Sequence, residues 1–314
     1  MRYSAALLGY YGFGNLGDEL LLSSTIDILG RCGVNRDKII VFSNNPELTS
    51  SGFSVKSINR WSWNGVFTAL KSSDRLILGG GGIFQDSTSI KSCLWYWGVI
   101  RLANFLGVKI FAIGQSVGPL KTKISRFLAA DALKLCGKIH VRGAKSLREA
   151  ENLGCRNISC GTDLVFTLKN DGVISRGNLK LLNVRPCRNL DSFKKILIPH
   201  IDDYTVGVAL SHEDEIVIKS LGLREIFRVR NFDDAKKIWS EAKSAVGMRL
   251  HFGILSQIFR TPLAMMPYDI KINEFAENSG VPLIADDWAV PVMPREIPES
   301  SKEIDILCRE ILAL

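Results

Sequence analysis

The chain has 314 residues, of which 46% are hydrophobic and 23% charged, and its net charge is +8. This is more than one ordinary domain holds; it predicts two domains of about 150 residues each, with enough apolar sequence for two cores and no extended disorder. The positive balance favours anionic partners, whether phosphates, carboxylates, nucleic acid or an acidic membrane surface, and does not choose among them.

Short apolar runs alternate with amphipathic stretches along the chain, the pattern of βαβ units around parallel sheets. Ser4–Leu8 reads as a strand, followed by a glycine-rich turn and a helix over Asp18–Leu29. Lys38–Phe42 and Arg75–Leu78 read as strands, the latter ending in the run Gly79–Gly82. A helix over Ser92–Leu106 leads into a strand at Lys109–Ile113, and a helix over Ile124–Leu135 into a strand at Lys138–Val141. Ser146–Leu153 reads as helical and Ile158–Phe166 as extended.

A second set follows the polar stretch Lys169–Asn178, the expected domain boundary. Strands are expected at Lys180–Val184, Lys195–Ile198, Glu225–Val229, Ala245–Met248, Leu263–Met266 and Val281–Ile284. Helices are expected at Asp233–Lys243, His251–Phe259, Ile272–Asn278 and, after a proline-rich stretch, Lys302–Leu312. The fold class expected is α/β: two Rossmann-like domains with parallel sheets, residues 1–169 and 170–314, and a cleft between them at the carboxyl ends of the strands.

The seven cysteines are odd in number and form no C-x-x-C pair, so neither a disulfide framework nor a zinc site is expected. The start MRYSAALLGYYG is unlike a signal peptide, and no apolar run is long enough to span a bilayer. Together these predict a cytoplasmic protein with reduced thiols.

Several strand-end motifs carry candidate chemistry. The loop GYYGFGNLGDE holds a literal G-x-G-x-x-G at Gly12, Gly14 and Gly17. The next strand ends in Ser43, Asn44 and Asn45, with no carboxylate for a ribose hydroxyl, and Asp18 and Glu19 would compete with a pyrophosphate at the helix N-terminus. A dinucleotide is therefore not expected; the loop instead offers Gly14, Asn15 and Asp18 to a substrate. LILGGGGIFQDSTS places Gly80, Gly81 and Gly82 where backbone N–H groups can cradle an anion, with Gln85 and Asp86 following. FAIGQSVGPL presents Gln115 and Ser116, and HVRGAKS presents Arg142. VGMRLHFG sets Arg249 two residues before His251, an anion ligand beside a group that exchanges protons near neutral pH. YDIK adds Lys271, a further cation at a strand end. His140 reads as packed, and His212, in SHEDE, as part of a solvated face. No metal-ligand cluster stands out.

Taken in order, GYYGFGNLGDE, LILGGGGIFQDSTS, FAIGQSVGPL, VRGAKS, CGTDLVF, LNVRP, VGMRLHFG and YDIK resemble the polysaccharide pyruvyltransferase family, in particular its CsaB type. The resemblance runs from residue 9 to residue 271. It implies a GT-B architecture whose final helix returns to the first domain. It also implies phosphoenolpyruvate as donor, and a ketal-linked pyruvate on a lipid-linked N-acetylmannosamine unit of a secondary wall polymer that anchors surface-layer proteins. By motif, the family's active-site histidine falls on His251 and its anion-binding residues on Arg142 and Lys271, with Arg249 added from its position. Asp18 or Asp86 would orient a hydroxyl. Between LNVRP and VGMRLHFG the chain reads as short against the family pattern, with little more than IPHIDD and a brief helix.

The expected partners are phosphoenolpyruvate and a lipid-linked or nucleotide-linked sugar acceptor, with no cofactor, no metal and no nucleic acid. Two other readings share this architecture: a GT-B glycosyltransferase using a nucleotide sugar, and an inactive sugar-nucleotide-binding partner in wall-polymer assembly. Ser87–Ala130 contains no Asp or Glu but holds Lys91, Arg101, Lys109, Lys121, Lys123 and Arg126 together with Trp95, Tyr96, Trp97 and Phe105. With Trp61 and Trp63, expected in a loop, this composition points to peripheral contact with an anionic membrane.

Overall fold

In the computed structural model, which describes residues 2–85, 90–297 and 301–314, the chain divides into two compact units. Unit 1 comprises the chain up to Phe13, Leu21–Leu168 and the C-terminal helix; unit 2 comprises Gly14–Leu20 and the chain from Lys169 to the stretch before that helix.

Unit 1 is built on seven parallel strands in the order β3-β2-β1-β4-β5-β6-β7. They are β1 (Ala5–Tyr11), β2 (Ile39–Ser43), β3 (Lys56–Asn59), β4 (Arg75–Phe84), β5 (Lys109–Val117), β6 (Lys138–Val141) and β7 (Ile158–Cys160). The connecting helices are α1 (Leu16–Arg31), α2 (Pro46–Phe53), α3 (Trp63–Lys71), α4 (Ile90–Phe105), α5 (Lys123–Leu133) and α6 (Ala144–Asn152). The central strands β1, β2, β4 and β5 are apolar on both faces, as strands covered by helices on each side must be. On one side, Val66, Leu70, Tyr96, Val99, Ile100, Ala129 and Leu133 from α3, α4 and α5 share a core with Leu8, Leu76, Leu78, Ile110 and Ala112 of the sheet.

Unit 2 has five parallel strands in the order β10-β9-β8-β11-β12: β8 (Leu179–Asn183), β9 (Thr205–Ala209), β10 (Ile226–Arg228), β11 (Ala242–Gly247) and β12 (Leu263–Met265). Its helices are α7 (Leu190–Leu197), α8 (His212–Lys219), α9 (Phe232–Ser240), α10 (Leu250–Ile258) and α11 (Ile270–Ser279). The final helix α12 (Ser301–Ala313) groups with unit 1. There Arg31 pairs with Asp305 at 2.7 Å, Arg75 donates to the carbonyls of Ile311 and Leu312, and Lys138 pairs with Glu310.

Several expectations change. The strand expected at Arg75–Leu78 does not end at the glycine run but continues through it to Phe84. Ile158–Phe166 is extended only to Cys160 and then turns into a short 3-10 helix at Leu164–Thr167. Lys195–Ile198 is not a strand: it closes α7, whose Phe193 and Leu197 point inward at helical spacing. The strand there is Thr205–Ala209 instead. The stretch before VGMRLHFG is correspondingly fuller than it read, carrying α7, β9, α8, β10 and α9. Val281–Ile284 forms only an isolated bridge between Leu283 and Met265. Trp63 opens α3 instead of lying in a loop, with Ser62 as its cap.

His140 is packed, as its position within a strand implied. It is 5% exposed on β6, and its Nδ1 accepts the Gly114 N–H at 3.1 Å. Burial pushes its pKa down against a smaller upward pull from Asp163. The unfolded chain therefore takes up a proton near the ordinary histidine value of about 6.5 that the folded chain refuses, so stability is full above that pH and declines below it. In urea titrations between about pH 7 and about pH 5, His140→Gln is expected to lose less stability than the parent. Parallel slopes for the two proteins would show that His140 titrates alike in both states.

Candidate functional site

The carboxyl edge of the five-stranded sheet gathers cationic side chains. Arg185 follows β8, Arg228 ends β10 with Arg230 beyond it, Arg249 and His251 follow β11, and Lys271 follows β12. In a parallel sheet this edge, with helix N-termini converging on it, is where ligands bind.

The geometry there is organised by Asp214, which is fully buried. Its carboxylate accepts from the Leu210 N–H at 3.1 Å, from the Ser211 hydroxyl at 3.0 Å, and from Arg249 Nε at 3.0 Å and Nη2 at 2.6 Å. Asn183, the last residue of β8, donates to the Val208 carbonyl at 2.8 Å and accepts the Arg249 N–H at 3.0 Å. One network thus joins the ends of β8, β9 and β11 to the start of α8. Burial works against the charged form of Arg249, but the hydrogen bonds and charge of Asp214 outweigh it, and its pKa is raised. Arg228 moves the other way, pushed down chiefly by burial.

The first turn of α1 belongs to the same assembly. Leu16 donates its N–H to the Leu210 carbonyl at 2.9 Å, and Arg228 Nη2 donates to the Gly14 carbonyl at 2.9 Å. Asn15 Nδ2 donates to Asp18 at 2.6 Å, and Asn15 Oδ1 accepts the Gly17 N–H at 3.4 Å. A Cβ at Gly17 would stand 2.1 Å from His251 Nδ1, so this position must be glycine for the imidazole to lie against the turn. The third glycine of the G-x-G-x-x-G is thereby explained by a histidine and not by a pyrophosphate.

On the far side, Arg185 donates to the Tyr268 hydroxyl at 3.0 Å and lies 4.7 Å from the centroid of its ring. Lys271 sits 3.6 Å from Asp269, whose side chain also caps α11. Asn15, Asp18, Arg249, His251 and Lys271 are therefore all in unit 2, with Gly14. A cavity of about 250 Å³ in unit 2, between Lys180, His200, Thr205 and Trp288, is also lined by Leu182 and Val246, each one residue short of the end of its strand.

The remaining candidates lie in unit 1. Gly80 has φ +80° and would place a Cβ 2.9 Å from Leu21, so its glycine is required by packing within β4. Gly81 has φ +95°, whereas Gly82 has room, its nearest neighbour being Gln85. Gln115 is buried, with Nε2 donating to the carbonyls of Leu78 at 2.9 Å and Ile113 at 3.2 Å. Ser116 is half-buried on β5. Arg142 forms a nearly buried ion pair with Asp163, the aspartate of CGTDLVF. Asp86 lies outside the described residues.

Asp214 and Asp163, the buried partners of Arg249 and Arg142, are not among the residues the sequence singles out. Asp163 lay in a quoted motif. Asp214 was hidden in SHEDE, although Ser211 three residues ahead of it is the spacing of a reciprocal helix cap.

The two parallel sheets with alternating helices define a two-domain Rossmann-like fold of the GT-B class. Solved structures with this fold include UDP-GlcNAc 2-epimerase from Methanocaldococcus jannaschii, 11% identical over 99% of this chain and 92% of that one, with a TM-score of 0.62. HepE from Anabaena, in complex with UDP, is 11% identical over 99% and 91% of the two chains, with a TM-score of 0.56. A glycosyltransferase from Rickettsia africae is 11% identical over 99% and 93%, with a TM-score of 0.54. At these identities the likeness concerns the fold alone. No curated protein sequence matches the chain. The profile of the polysaccharide pyruvyl transferase family matches residues 15–270. The chain belongs to that family and is a transferase of polysaccharide biosynthesis.

Breaking the central pair leaves a buried charge unmatched. Asp214→Ala is expected to cost about 3–5 kcal/mol of stability in denaturant titrations, and removing Arg249 as well should restore part of it. A loss below about 1 kcal/mol, or a double variant no better than the single one, would contradict the role given to this pair.

Proposed function

We propose that the chain transfers a pyruvyl group from phosphoenolpyruvate onto a sugar of a cell-wall polysaccharide precursor and releases phosphate. The acceptor assigned is a lipid-linked N-acetylmannosamine unit, as in the CsaB type, which would place the work at the cytoplasmic face of the membrane. Family membership supports the reaction class. The observation that carries the assignment is the set of cations along the carboxyl edge of β8, β10, β11 and β12, with His251 among them. A donor bearing both a phosphate and a carboxylate needs several positive charges. With Arg249 neutralised by Asp214, the other cations named along this edge are Arg185, Arg228, Arg230 and Lys271, the last 3.6 Å from Asp269.

The chemistry balances as follows. The methylene carbon of the donor takes a proton from the acid and becomes a methyl group, while one sugar hydroxyl adds to the neighbouring carbon and returns its proton to the same group. The C–O bond to phosphate then breaks, a second hydroxyl of the same sugar adds, and its proton leaves on the released phosphate. His251 is assigned as the group that gives and takes protons, since an imidazole does both near neutral pH. Asp18, on the turn that abuts His251, is assigned to orient an acceptor hydroxyl.

His251→Ala is expected to fold normally and to lose at least about a hundredfold in turnover, the usual worth of a general acid–base group. Lys271→Ala is expected to weaken phosphoenolpyruvate binding in calorimetric titrations. Near-normal turnover in the histidine variant, or parent-like donor affinity in the lysine variant, would overturn the assignment.

A further inference from the structure

The helical layer formed by α3, α4 and α5 has an inner and an outer face of different character. Its inner residues, among them Val66, Leu70, Tyr96, Ile100 and Leu133, fill the core against β4 and β5. Its outer stripe would ordinarily be polar. Here it carries Trp63 and Phe67 on α3, Leu94 and Phe105 on α4, and Ile124 and Phe127 on α5, with Trp61 in the turn before α3. These seven side chains keep between 41% and 83% of their area exposed. The three helices are neighbours, and the Trp63 indole lies over Gly98 of α4, at 3.5 Å from where a Cβ would stand. Isolated exposed apolar residues need no explanation, but seven on three adjoining helices and the turn before them mark an interaction surface.

Charge identifies the partner. Lys71, Lys91, Lys121 and Lys123 are exposed around the same stripe. Neither α3 nor α4 contains an Asp or Glu, and the first in α5, Asp131, is taken by Trp97 Nε1 at 2.6 Å and by Arg101 Nη2 at 2.6 Å. A second copy docking through this face would set lysines against lysines, because a two-fold interface brings a patch onto itself. Indole and phenyl rings fringed by lysines suit the headgroup boundary of an anionic bilayer, where the rings enter the interface and the ammonium groups meet lipid phosphates. Trp95 and Trp97 are not part of this surface: they are half-buried and pack on the core.

We propose that the outer face of α3, α4 and α5 is a membrane-docking surface that seats the protein on anionic lipid. The inference stands on this layer alone and does not depend on the pyruvyl-transfer reading, so either can fail without the other.

The test is flotation of the full chain with phosphatidylcholine vesicles, with and without phosphatidylglycerol, at low and high salt. Binding is expected to the anionic vesicles only and to be lost at high salt, where surface charges are screened. Lys121→Glu with Lys123→Glu should weaken it by at least about twentyfold, since each cation near the surface is worth about fivefold. Glutamate at position 123 falls in the first turn of α5, where the helix dipole favours it, so unfolding is not the expected cause; the melting temperature verifies this. Phe105→Ser with Phe127→Ser should weaken binding at both salt concentrations. No flotation with anionic vesicles at low salt would overturn the proposal. So would unchanged binding in both variants, or a concentration-dependent dimer of the parent that the phenylalanine variant abolishes.

Discussion

Unit 2 depends on a carboxylate sealed from solvent. Asp214 is buried at the start of α8, and a charge in that position persists only if donors and a countercharge surround it. The chain supplies them from β9 through Leu210, from the α8 cap through Ser211, and from the end of β11 through Arg249, with Asn183 of β8 fixing the Arg249 backbone. Because Leu210 also accepts from Leu16, the same network sets the first turn of α1, and with it Gly17 against His251. The strand ends are thus held in register before any ligand arrives, the condition under which fixed charges act on a reacting group without reorganisation.

The cations of the chain accordingly divide by what they face. Arg249 and Arg142 are turned inward to Asp214 and Asp163 and hold structure together. Arg185, Arg230 and Lys271 keep part of their surface open along the edge of the second sheet. The lysines of the first unit's helical layer point outward among exposed aromatic rings. The net charge of +8 is thus spread over buried pairs and separate exposed surfaces.

Much of the fold was legible because parallel strands covered on both faces are written as unbroken apolar runs, as at Ala5–Leu8 and Ile39–Phe42. Lys195–Ile198 misled because a short apolar run has no period of its own, and only Phe193 four residues before Leu197 reveals the helix. β3 was missed because its sequence, Lys-Ser-Ile-Asn, is that of a half-exposed edge strand. The glycine run hides the second half of β4, because four glycines show no apolar pattern, and Gly80 is required where Leu21 and Leu164 press on the strand. Arg249, His251 and Lys271 could be named because strand-end positions follow from the alternation of elements. Asp214 could not, since in SHEDE it resembles its solvated neighbours Glu213 and Glu215. Which acid of such a run turns inward is decided by Asn183 and Arg249, distant in sequence.

The pyruvyl-transfer proposal rests on family membership and on the strand-end cations of unit 2. The most direct measurement of it is product analysis after incubating the purified chain with phosphoenolpyruvate and a lipid-linked disaccharide ending in N-acetylmannosamine. The account predicts one phosphate released for each acceptor that gains a pyruvyl ketal, seen by mass and by the new methyl resonance. An acceptor left unchanged by phosphoenolpyruvate but extended by a sugar from a nucleotide donor would contradict it.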